Sequence, residues 1–75
     1  MAQTRINRYK TIFGTVRFEK VPLGWTKFMR ENKAAQMTNS QGHIIWQVPG
    51  ERGEEMKILL EKKGAVVEDI PAPPE

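Results

Sequence analysis

Seventy-five residues with no cysteine, one histidine and a net charge of +3 describe one small domain, near the lower size limit for a self-sufficient core. That composition excludes disulfides, thiolate chemistry and cysteine-based metal sites, and no apolar run approaches the ~18 residues of a membrane span. The charge is uneven. Residues 1–50 carry eight Lys/Arg against Glu19 and Glu31, a net of +6, and residues 51–75 carry four against seven acids, a net of −3. A basic half of this kind favours a polyanion at one end.

The opening MAQTRINRYK has charge but no hydrophobic segment after it, so it is not expected to act as a signal peptide. Residues 1–9 lack periodicity and are expected to form a flexible basic arm on a cytoplasmic protein. From Lys10 to Val21 the pattern alternates. Ile12, Gly14, Val16 and Phe18 fall on one face and Phe13, Thr15, Arg17 and Glu19 on the other, which predicts a half-buried strand. Pro22 then opens a short helix whose stripe is Trp25, Phe28 and Met29, with Asn32 as its left-handed stop. Both tryptophans, Trp25 and Trp46, are in phase with these stripes and are expected to be buried.

Ala34–Thr38 reads as an edge strand running into a hairpin loop, Asn39–Gly42, with a second short helix as the alternative. His43–Val48 follows as a strand that turns Ile44, Trp46 and Val48 one way and His43, Ile45 and Gln47 the other. Pro49-Gly50 ends it. A helix over about 51–63 buries Met56, Leu59 and Leu60 and leaves Ile58 in solvent, with acids in its first turn and Lys62-Lys63 in its last, as the helix dipole favours. Gly64 caps it, Ala65–Ile70 is the last strand, and PAPPE (71–75) is a proline-rich tail that cannot join a sheet. The order is βαββαβ, an α+β two-layer sandwich of ferredoxin-like type over residues 10–70; the alternative for 34–38 would make it βααβαβ.

The segment EEMKILLEKKGAVVEDI is similar to the helix-glycine-strand ending of the ribosomal stalk protein's C-terminal domain and of phycobilisome linker domains. The likeness covers about a quarter of the chain and reflects shared α/β geometry. RNA-recognition motifs use the open face of a βαββαβ sheet, stacking bases on aromatics of the first and third strands. Ile12-Phe13-Gly14-Thr15-Val16 resembles their first-strand motif at Phe13. Gln41–Val48 matches the third-strand motif at Gly42 alone, with His43 and Ile45 standing where that family has aromatics. That resemblance implies RNA or single-stranded nucleic-acid binding through the open face, with Arg5, Arg8, Tyr9 and Lys10 of the arm on phosphates.

Catalysis is poorly supplied: His43 is the one histidine, and the adjacent pairs Glu54-Glu55 and Glu68-Asp69 point in different directions on a helix or strand. Gly50-Glu51-Arg52-Gly53 is too short for a phosphate loop, Val21–Gly24 lacks the arginine-bearing loop of acylphosphatases, and neither a metal nor a cofactor motif is present. The expectation is a non-enzymatic module that docks a protein partner, or a second copy of itself, on the open sheet face. Phe13 and Ile45 should neighbour each other there, flanked by Arg17, His43 and Gln47.

Overall fold

The structure, a computed structural model, describes residues 4–72. They form a small α+β domain: a five-stranded mixed sheet with two helices on one face. The elements in chain order are β1 (Thr4–Lys10), β2 (Thr15–Glu19), α1 (Thr26–Glu31), β3 (Ala35–Thr38), β4 (Ile44–Pro49), α2 (Gly53–Lys62) and β5 (Ala65–Asp69), with one 3-10 turn leading into each helix. The sheet order is β3-β4-β2-β1-β5, antiparallel throughout except for the parallel β1–β5 pair.

The first correction concerns the N-terminus. Thr4–Lys10 is not an arm but an interior strand, paired with β2 on one side and β5 on the other. Ile6 is completely buried between sheet and helices, and Tyr9 is buried on the opposite face. The polar sequence TRINRYK hides this because its part-buried cation, Arg8, is satisfied by residues distant in sequence. Arg8, on the helix side, donates through Nε to Asp69 Oδ1 and through Nη1 to the Gly53 carbonyl (3.3 Å) and to Glu54 (3.3 Å). An interior strand can therefore carry a cation where two other elements supply the acceptors. The first three residues lie outside the described part, as do residues 73–75 of the tail.

The second correction follows from the first. The predicted strand from Lys10 to Val21 is broken at Thr11–Gly14, which is the β1–β2 hairpin loop. The alternation persists through it because Thr11 pairs with Thr15 around a short loop that preserves parity. Val16 and Phe18 do face the core, whereas Ile12 and Gly14 do not.

The remaining elements fall close to expectation. The strand reading of 34–38 holds, and the helical alternative is excluded by the β3–β4 ladder. The third strand begins at Ile44 rather than His43, which lies in the loop. Helix α1 ends at Glu31 with Asn32 as its cap, but the left-handed residue is Lys33 (φ 62), and Asn32 instead folds its side-chain amide back onto the Phe28 carbonyl (2.8 Å). Gly64 (φ +105) follows α2 in the left-handed conformation a β-carbon disfavours.

The core lies between the sheet and the helices: Ile6, Val16, Phe18, Trp46, Val48, Ala65 and Val67 from the strands meet Met29, Met56 and Leu60 from the helices. Trp46 is fully enclosed. Trp25 is only half-buried, at the rim, where the Lys63 ammonium lies 5.2 Å from its ring and 5.1 Å from that of Phe28. At the other end of α1, Arg52 donates to the Asn32 carbonyl (2.7 Å), so two cations of the α2 segment tie the short helix down. The two glycines around Glu51-Arg52 have packing roles. A β-carbon on Gly53 would stand 2.7 Å from a Val16 methyl, and one on Gly50 would stand 2.5 Å from the Gly14 carbonyl oxygen.

Candidate functional site

The sheet face opposite the helices is covered by none of the helices. Alternation along the strands places Asn7 and Tyr9 of β1, Thr15, Arg17 and Glu19 of β2, Met37 of β3, and Ile45 and Gln47 of β4 on it. In register, Tyr9, Arg17 and Gln47 form one row across three strands, and Asn7, Glu19, Ile45 and Met37 form the next. Arg17 Nε donates to Gln47 Oε1 at 2.9 Å, spanning the row. Ile45 is 2% exposed and Tyr9 6%, so these two lie beneath their polar neighbours, while Met37 is half-buried. Tyr9 also lines a shallow groove with Ile70, Pro71 and Ala72, the start of the proline-rich tail. His43 and Ile45 border a second groove at the opposite end, together with Glu19, Val21 and the exposed Leu23.

Four of the five expected contact residues are therefore near one another, and the fifth is not. Phe13 does not neighbour Ile45. It sits at the tip of the β1–β2 hairpin, 70% exposed, beside Ile12 at 93%. The tip is rigidly built. Thr11 Oγ1 accepts from the Phe13 and Thr15 amides (3.2 and 3.3 Å) and lies 2.7 Å from Thr15 Oγ1, Gly14 N–H donates to the Thr11 carbonyl, and Gly50 N–H donates to the Gly14 carbonyl at 2.9 Å.

The β3–β4 hairpin supplies an internal comparison. Asn39 Oδ1 accepts from the Gln41 and His43 amides (2.9 Å each), Gly42 N–H donates to the Asn39 carbonyl, and Gly42 has a positive φ like Gly14. The two loops share one geometry. Their central residues are Ser40-Gln41 in one and Ile12-Phe13 in the other. Nothing in the turn calls for apolar side chains, and solvated tips ordinarily carry polar ones.

The residues expected to contact phosphate are dispersed or neutralised. Arg5 is exposed and faces Glu68 across the β1–β5 ladder (3.9 Å), Arg8 is held by Asp69 and Glu54 on the helix side, Tyr9 is buried, and Lys10 is exposed at the far end of β1. The Arg8 hydrogen bond is the main cause holding the Asp69 carboxyl below the ordinary carboxylate range, and the same pairing raises Arg8. Among the described residues no group of His, Asp or Glu side chains is gathered as a metal-binding set, and no helix is long and apolar enough to cross a membrane. Sequence reasoning missed the tip, although Gly14 inside an alternating run signals a bulge or turn. Comparison with protein-family models, curated proteins and solved structures yields no match.

Proposed function

We propose that this chain is a non-enzymatic binding module that docks a protein partner, or a second copy of itself, through the hairpin tip Ile12–Phe13 and the open sheet face that leads up to it. The observation that carries the reading is the exposed Ile-Phe pair on a braced loop whose twin in the same fold bears Ser-Gln. Burying two such side chains contributes roughly 3–6 kcal/mol, and a preformed tip loses little entropy on docking. Arg17, Gln47 and the Ile45 groove would then form a polar margin around an apolar anchor, the arrangement common at interface centres.

A ferredoxin-like frame is the finer reading of the fold. It is supported by the βαββαβ order of β2 to β5 with their helices, β1 being an added strand between the first and last of that frame. Stacking on nucleic acid draws less support. No aromatic ring is exposed among the described residues of the open face, since Tyr9 is buried there and Trp46 belongs to the core.

Benzoylphenylalanine at position 13 should photo-crosslink to one discrete species, either a second copy in the pure protein or a single partner in host lysate. The adduct should disappear with Ile12→Asp and be absent when the probe is at Lys62. If positions 13 and 62 label alike, the tip is not the docking site.

A further inference from the structure

We infer that the free edge of β3 is a docking strand for an extended segment of another protein that bears acidic side chains. The inference does not rest on the hairpin tip, which lies at the other side of the β4–β2 pair. Main-chain geometry comes first. Asn39 N–H donates to the His43 carbonyl, so residues of the same parity, Met37 and Ala35, direct their main-chain groups to Ile45 and Gln47 of β4. The N–H and C=O groups of Gln36 and Thr38 therefore point away from the sheet, and both residues are exposed.

Free edges are ordinarily blunted by shortness, lysine, proline, a bulge or a charge, and β3, at four residues, is short. The strand AQMT itself has no lysine, proline or charge. The opposite edge has them: β5 carries Glu68 and Asp69 and runs into Pro71. One edge of the sheet is closed to pairing and the other is open.

Charge identifies the occupant. Arg30 Nη2 donates to Gln36 Oε1 at 3.0 Å, which holds a guanidinium over the helix side of the edge. Lys33 stands two residues ahead of the strand. No carboxylate pairs with either among the described residues, whereas Glu54, Glu68 and Asp69 on the far side are each engaged by Arg5, Arg8 or Lys57. A second copy pairing β3 antiparallel with β3 would bring the two Arg30 guanidiniums close together beside Gln36, an unfavourable like-charge arrangement. An added strand with Glu or Asp at alternate positions meets those cations beside Gln36 and Thr38. Its intervening residues fall beside Met37 on the open face, where small apolar side chains suit.

The test titrates the isotope-labelled full chain with a blocked nonapeptide of alternating valine and glutamate, following amide shifts by NMR. The largest shifts, with new protection from hydrogen exchange, should fall at Gln36 and Thr38. Combining Arg30→Gln with Lys33→Gly should weaken binding by about tenfold at low salt, and a valine-lysine peptide should leave the spectrum unchanged. Gln36→Pro removes one outward N–H and should abolish binding. If that variant does not fold, the combined Arg30→Gln and Lys33→Gly variant carries the test, glycine suiting the left-handed position of Lys33. The proposal is overturned by absence of shifts at β3, by equal binding of the lysine peptide, or by shifts confined to Ile12 and Phe13. Sedimentation of the protein alone as a dimer that Gln36→Pro dissolves would also overturn it, since the occupant would then be a second copy. Loss of binding at the tip alone bears on the proposed function and not on this edge.

Discussion

Thr11 and Asn39 do the same work with different chemistry. Each uses a side-chain oxygen to accept two amides of its own loop, at the second and fourth residues ahead, and each is followed by a glycine in the left-handed region. Because the loop is built by these residues, Ile12 and Phe13 should be replaceable without structural cost. Ile12→Ser with Phe13→Ser should change the free energy of unfolding by no more than about 0.5 kcal/mol in a urea titration, while removing the association described above. Gly53 is the opposite case. Its missing β-carbon is what admits α2 to within contact of Val16, so Gly53→Ala should destabilise by roughly 1–3 kcal/mol through overpacking.

The Arg8–Asp69 pair gives an acid limb to stability. Asp69 has a folded pKa below its ordinary value, so its contribution is complete above the unfolded value and is lost as pH falls through the folded one. Its carboxylate remains largely in water, which keeps the effect modest. Circular dichroism during acid titration should show a shallower loss of stability in Asp69→Asn than in the parent, the difference vanishing at the lowest pH.

Among the elements, β1 separates what periodicity can reveal from what it cannot. Ile6 is fully buried, and Ile6→Ala should cost about 2–5 kcal/mol in denaturant unfolding. A flexible arm would give no change. Strands β3 and β4, helix α2 and its Gly64 stop were legible because apolar spacing and turn residues agreed with the final packing. In β1 they did not agree. TRINRYK has one apolar residue directed at the core, and its cation Arg8 is satisfied by Gly53, Glu54 and Asp69, partners 45 to 61 residues away in sequence. No local pattern encodes such partners. The site was legible in part for the same reason. Arg17, Ile45 and Gln47 share the open face as strand parity required, but Phe13 left it once Gly14 turned the chain. Tyr9 entered unannounced on the missed strand.

At the scale of the whole molecule, β1 lies between β2 and β5 and runs parallel to β5, with Thr4 opposite Ala65 and Arg8 opposite Asp69. The chain enters β1 at one end of that ladder and leaves β5 at the other. Tension applied between the two chain ends would thus load the five paired positions in shear, all at once, rather than peel them one by one. A module hung between two attachments in this way resists pulling through its rupture rate more than through its equilibrium stability. Single-molecule extension by the termini should show a high, single rupture event. Pulling instead from Thr38 and Glu75 would not shear this ladder along its length, and a clearly lower rupture force is expected there.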